Sequence, residues 1–197
     1  MILVEGLDLA GKSTLIEGLR QHFGRTRVLN GQFCSNNPSG KVARELVRWD
    51  EGFGGLEAGS LFLSSMLWDA RHFVPPAPGE VHLQDSCWLR TLAFEQLFGS
   101  IPIARMMEEQ GRRFPRFEKA FFLTASLAER ERRFRSRSQN DLHDLMAFRK
   151  PDKFLAIERR LRDLVIEWEA GVVIETDGLS PAQVLSRVLS KSVAKTA

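Results

Sequence analysis

The feature that most narrows what this chain can fold into is Gly6-Leu7-Asp8-Leu9-Ala10-Gly11-Lys12-Ser13, which fits G-x-x-x-x-G-K-[ST]. An apolar run, Ile2-Leu3-Val4, precedes it. A helical pattern follows, with Leu15, Ile16, Leu19 and Phe23 on one face and Gly24 as a stop. Strand, glycine-rich loop and helix are the context this motif needs. The glycines let the backbone wrap phosphate oxygens closely and turn N–H groups inward. The helix N-terminus adds partial positive charge at the same point. In such a loop a lysine bridges the outer phosphates of a nucleoside triphosphate and the following hydroxyl ligates Mg²⁺. The expected nucleotide-binding set is therefore Gly6, Leu7, Asp8, Leu9, Ala10, Gly11, Lys12, Ser13 and Thr14, with ATP and Mg²⁺ as ligands. The competing reading, a glycine-rich turn with a surface lysine, leaves the flanking strand and helix unexplained.

Further apolar runs stand at Val28-Leu29, Val81–Leu83, Ala120–Leu123 and Val172–Ile174, with helical stretches between them. Strands alternating with helices predict an α/β fold: about five mostly parallel strands in a three-layer arrangement with helices on both faces. Residues 30–40 and 74–80, dense in Gly, Pro, Asn and Ser, read as loops. In a helix over 153–169, Phe154, Ile157, Leu161, Leu164, Val165 and Trp168 form an apolar stripe suited to core packing. The 197 residues suit a single domain over 1–197, with a small arginine-rich lid at about 130–145. No apolar run approaches the roughly 18–20 residues that span a bilayer. Two cysteines, Cys34 and Cys87, form no disulfide framework and suit a reducing, cytoplasmic setting. Net charge is only +3, but Arg130, Arg132, Arg133, Arg135 and Arg137 put five arginines into eight residues. That cluster suits a phosphate chain or another polyanion.

The opening stretch Ile2 to Thr14 closely resembles that of thymidylate kinases, within the P-loop nucleoside-monophosphate kinases. Pro38 to Leu46 is similar to the family segment after its acceptor-phosphate loop. Asp85 to Glu95 resembles its Asp-Arg-Tyr block and following helix, the arginine run its lid, and Val173 to Asp177 the strand and loop beside the adenine. The resemblance implies transfer of the ATP γ-phosphoryl group to a nucleotide-like acceptor, first among them a pyrimidine nucleoside monophosphate such as dTMP or a modified relative. It implies catalytic roles for Lys12, Asp8 and the lid arginines Arg133, Arg135 and Arg137. It also implies Ser13 and Asp85 as metal ligands and Asp177 beside the nucleotide. A homodimer is implied on the same ground; nucleic-acid and membrane partners are not.

The departures concern the acceptor. Ser86 stands where the family has a phosphate-holding arginine, and Gln32-Phe33-Cys34-Ser35 replaces a second arginine loop. Leu9 occupies the place of the arginine that some members carry inside the phosphate loop. A monophosphate in a closed site needs charge-assisted donors, and Arg44, Arg71 and Arg90 are the candidates. Phe33, Trp68 and Trp88 are candidates to stack on a base, and Thr91 and Glu95 to meet its edge. Three readings remain open: a kinase of a nucleotide, a kinase of a nucleoside or other metabolite hydroxyl, and a nucleotide-binding protein without turnover.

Overall fold

The computed structural model describes residues 1–49, 55–136 and 146–193. Five strands form one parallel sheet: β1 (Ile2–Glu5), β2 (Thr26–Asn30), β3 (Val81–Asp85), β4 (Lys119–Thr124) and β5 (Val172–Glu175), in the order β2-β3-β1-β4-β5. They fall on the five apolar runs. Covered on both faces, the central strands read as continuous apolar sequence rather than as alternation. Every residue of β1 is buried, whereas Val28 on the edge strand β2 is 39% exposed.

Nine helices are described: α1 (Lys12–Phe23), α2 (Pro38–Trp49), α3 (Gly55–His72), α4 (Leu89–Phe98), α5 (Ile101–Gly111), α6 (Leu127–Ser136), α7 (Met146–Arg149), α8 (Pro151–Glu169) and α9 (Pro181–Val193). Two cores cover the two faces of the sheet. One packs α1 and α9 on Val4, Leu83, Phe121, Leu123 and Ile174. The other packs α3, α4, α5 and α8 on Leu3, Ala120 and Phe122. In α8 the residues Phe154, Ile157, Leu161, Leu164 and Val165 are buried and Trp168 packs partly against them, as the stripe requires.

One boundary differs from the sequence reading. The loop expected over 30–40 stops at Asn37, because Pro38 opens α2. Proline lacks the N–H that the first helical turn leaves unsatisfied, so it suits this position. The Asn37 side chain accepts from the Gly40 N–H at 3.0 Å, satisfying one of the free donors there. The segment 74–80 is irregular, as expected.

The β1–α1 turn depends on a glycine for two reasons. Gly6 has φ +141°, and a Cβ there would lie 2.3 Å from the Leu123 carbonyl oxygen on β4. Gly6→Ala should cost on the order of 2 kcal/mol or more of stability, read as a lower urea midpoint; an unchanged midpoint would contradict this packing.

Candidate functional site

The loop between β1 and α1 is held from below by one carboxylate. Glu5 is fully buried. It accepts from the Gly6 N–H at 3.0 Å, from the Ser86 hydroxyl at 2.8 Å, from the Cys87 N–H at 3.0 Å and from the Arg90 guanidinium at 3.1 Å. Arg90 also donates to the Gly6 carbonyl at 2.5 Å, and its Nη1 lies 3.9 Å from Asp8. Ser86 takes a left-handed backbone, φ +66°, to point its hydroxyl at Glu5. Where the resemblance has a phosphate-holding arginine, this chain has a hydroxyl that serves the loop from beneath, while an arginine one helical turn further on reaches back to the same loop.

Lys12 folds over the loop and donates to the Leu7 carbonyl at 3.3 Å. Burial, then the nearby Arg90 charge, pushes its ammonium below the ordinary lysine range. Asp85, at the end of β3, accepts from the Asn30 amide at 3.1 Å through one oxygen. Its other oxygen is buried and has no hydrogen-bond partner among the described residues. Burial raises its pKa, and the Lys12 charge opposes that rise. A desolvated carboxylate oxygen in want of a partner, beside the lysine of the phosphate loop, fits a magnesium site, since Mg²⁺ selects hard oxygen ligands. Ser13 is exposed on the first turn of α1.

On the far side of the loop lies a groove of about 260 Å³, lined by Leu9, Ala10, Gly11, Thr14, Arg133 and Thr176 among others. Arg133 closes one wall. It donates to the Leu9 carbonyl at 2.8 Å, to the Thr176 hydroxyl at 3.1 Å and to the Thr176 carbonyl at 2.9 Å, and it pairs with Glu129 at 2.8 Å. The Thr176 hydroxyl reaches the Ala10 carbonyl at 3.2 Å. Leu9, with φ +64°, takes a left-handed backbone here, and the Arg133 guanidinium holds its carbonyl in place.

The arginine run divides. Arg133 reaches the phosphate loop. Arg135 does not: it is 76% exposed and pairs with Glu131 at 2.5 Å, a solvated helix-face pair. Arg137 lies outside the described residues. Arg130 is fully buried. It donates to the Asp8 and Ala125 carbonyls, pairs with Glu158 and lies 4.8 Å from the centre of the Phe154 ring, so it braces the loop against α8. Asp177 does not line the groove; it accepts the Ser126 N–H at 2.9 Å, and Thr176 faces the groove in its place.

A second cavity, of about 240 Å³, opens on the other side of Glu5 and Arg90. Among the expected acceptor residues, Phe33, Arg44, Trp88, Arg90 and Thr91 line it. Asp8 and Asp85 stand at its loop end through Arg90 and Asn30. Neither Asp8 nor Asp85 is itself part of its lining, and three further residues are not either. Trp68 stacks on His72 at 4.1 Å. Arg71 is exposed and lines a separate groove with Arg27 and His72. Glu95 is buried elsewhere, accepting the Ser100 N–H at 2.8 Å and resting against Gly59. Phe33 is 3% exposed and packed against Phe73, Phe114 and Phe117, so it forms a wall of the cavity as part of the core.

The sequence reading missed the residues that shape this cavity. Asp69 accepts the Phe33 N–H at 2.8 Å and the Asn37 amide at 2.9 Å, clamping the loop after β2. Gln32 accepts from Arg44 at 3.0 Å and lies so close to Gly40 that a Cβ there would overlap its amide. His82 is fully buried, and burial keeps its pKa below the ordinary value. Its Nδ1 accepts from Arg27 at 3.2 Å, so its Nε2–H donates to Gln84 at 2.9 Å. Gln84 then donates to the carbonyls of Gln32 at 3.2 Å and Ser86 at 2.8 Å, joining the two loops at the cavity. A buried histidine and glutamine alternating with apolar residues on β3 were the available signal. Among the described residues no helix is long and apolar enough to cross a membrane.

No protein-family model matches the chain, and no curated protein matches it. Solved structures do. A thymidylate kinase from Candida albicans superposes with TM-score 0.68 at 17% identity over 96% of this chain and 89% of that one. A deoxyadenosine kinase from M. mycoides, described with dCMP and dCDP bound, gives 0.65 at 11% over 96% of each chain. A thymidylate kinase from Ehrlichia chaffeensis gives 0.65 at 12% over 96% of each. The class of fold is thereby established as the three-layer α/β fold of P-loop kinases. That fold is shared by thymidylate kinases and by a deoxyadenosine kinase alike.

Glu129 ties α6 to the groove by pairing with both Arg132 and Arg133. Its hydrogen bonds from those arginines, Arg132 foremost, lower its pKa from the ordinary 4.5 to about 2. A depressed carboxylate contributes stability that is present above its unfolded pKa and lost as pH falls through the folded value. The stability gap between wild type and Glu129→Gln should therefore be full above about pH 5 and close toward pH 2, measured by urea denaturation across pH. A gap independent of pH would show that the pairing contributes nothing.

Proposed function

We propose that this protein is an ATP-dependent phosphotransferase acting on a nucleotide-like acceptor. The observation that carries the reading is the position of one phosphate loop between two cavities. The Leu9–Gly11 side faces the groove closed by Arg133 and Thr176, and the Gly6 side faces the cavity lined by Arg44 and Arg90. A triphosphate lying in the groove has its outer phosphates at Lys12, between the two.

In the reaction an acceptor oxygen forms a bond to the γ-phosphorus as the bond to the bridging β,γ-oxygen breaks, and ADP leaves with that electron pair. Phosphoryl transfer asks the protein mainly for positioning and charge neutralisation. Lys12 leaves the Leu7 carbonyl to hold the outer phosphates. Gly11 and its neighbours in the loop offer backbone N–H groups. Ser13 and Asp85 would hold Mg²⁺, which would neutralise charge on the phosphates. Arg133 keeps the loop in its left-handed turn at Leu9.

Arg44 supports an acceptor that itself carries a phosphate. It is exposed, lines the cavity and has one described hydrogen bond, to Gln32, leaving most of its donors open. The favoured acceptor is thus a nucleoside monophosphate, and the family resemblance makes dTMP the first to assay. One observation favours a second reading, a nucleoside hydroxyl acceptor: Arg90 is already engaged by Glu5, the Gly6 carbonyl and Asp8.

Lys12→Ala should lower turnover by about a thousandfold or more with an unchanged melting midpoint, in an assay coupling ADP release to a panel of monophosphates and nucleosides. Equal rates with and without Lys12 would refute the mechanism. Arg44→Ala should raise KM for a monophosphate about tenfold or more and leave KM for ATP unchanged. An unchanged KM for every monophosphate would favour the hydroxyl acceptor.

A further inference from the structure

Among the buried carboxylates described, Glu5, Glu158 and Glu169 each have an arginine: Arg90, Arg130 and Arg116. Asp69, Asp85 and Glu95 have none among the described residues, and of these three only Asp69 lines the acceptor cavity. Asp69 is 3% exposed. Its polar partners are neutral: the Phe33 N–H on one oxygen and the Asn37 amide on the other. Burial raises its pKa, and only hydrogen bonds from these neutral groups and Cys34 oppose the rise. No cation among the described residues offsets this charge, which neutral donors alone hold. A carboxylate taken out of water without a cation is costly unless further donors reach it.

The cavity gives a further donor room to reach this carboxylate. Phe62, Ser65, Met66 and Asp69 stand at i, i+3, i+4 and i+7 of α3, so one helix face forms a wall. Phe33, Trp88 and Phe114 supply aromatic surface around it, suited to a flat ring. The Phe33 N–H, on the loop after β2, holds the Asp69 carboxylate at the cavity wall.

We infer that Asp69 selects the acceptor's base, and that it takes a base bearing an exocyclic amino group in preference to thymine or uracil. This rests on the phosphotransferase reading for the cavity's role. A carboxylate accepts only. Adenine and cytosine present an amino group, and guanine presents one beside a ring N–H. Thymine and uracil present one ring N–H flanked by two carbonyl oxygens, which face the carboxylate oxygens with no proton between them. A site whose buried polar group is left unpaired by the wrong ligand discriminates strongly against it.

The test is equilibrium binding of CMP, AMP, GMP, dTMP and UMP to the full chain by titration calorimetry, with ADP release assayed in parallel. At least one of the three amino-bearing nucleotides is expected to bind about tenfold or more tighter than dTMP and UMP. Asp69→Asn should remove that margin and leave ATP affinity within about twofold. Asp69→Glu should keep part of the margin. Preference for dTMP or UMP in the wild type overturns the inference, and so does binding of none of the five. These results come from the wild type and hold even if Asp69→Asn fails to fold. A margin that survives in a folded Asp69→Asn overturns it as well. Selective binding without ADP release on any acceptor leaves this assignment standing and removes the kinase reading. ADP release with a margin indifferent to Asp69 does the reverse.

Discussion

The buried carboxylate of Glu5 is the interaction on which the site depends. A charge there is unfavourable by itself, and four donors from three parts of the chain offset its cost: Gly6 from the loop, Ser86 and Cys87 after β3, and Arg90 on α4. The same contacts fix the start of the phosphate loop relative to β3. The left-handed backbone of Ser86 places its hydroxyl 2.8 Å from both carboxylate oxygens. The pair Glu5–Arg90 thus sets the distance between the loop and the acceptor cavity.

The other end of the loop is held by a different device. Loop carbonyls turned away from the phosphate side need donors. Arg130 supplies Asp8, and Arg133 supplies Leu9, while the Thr176 hydroxyl supplies Ala10. Three carbonyls in succession are thus satisfied from α6 and from the turn after β5. With those oxygens engaged from outside, the loop's carbonyls are kept off the phosphate side, as a phosphate cradle needs. An arginine cluster that reads as a phosphate-facing lid therefore serves partly as scaffold, and its exposed members pair with glutamates one turn away.

Much of the fold was legible because its signals are local. The five strands are apolar runs, since a parallel strand covered on both faces has no polar side to show. The loop Gly6 to Thr14 is legible because phosphate binding by backbone demands glycine at fixed spacing. Acceptor residues were harder, because helix direction decides them. Asp69 and Arg71 are two apart on α3 and point to different sides, so the acid faces the cavity and the base faces a separate groove. Thr91 and Glu95 are four apart on α4, yet only Thr91 reaches the cavity, because the Ser100 N–H draws Glu95 toward the start of α5.

The sequence alone determined a parallel α/β sheet and a phosphate loop, because both follow from periodicity and from glycine's conformational freedom over a few adjacent residues. Only the tertiary structure decided which cation serves which anion. Arg90 reaches Glu5 across 85 positions, Arg130 reaches the Asp8 carbonyl across 122, and Asp69 is left to face the cavity without a cation. Such pairings depend on which helix faces meet once the sheet is covered, and no spacing along the chain encodes them.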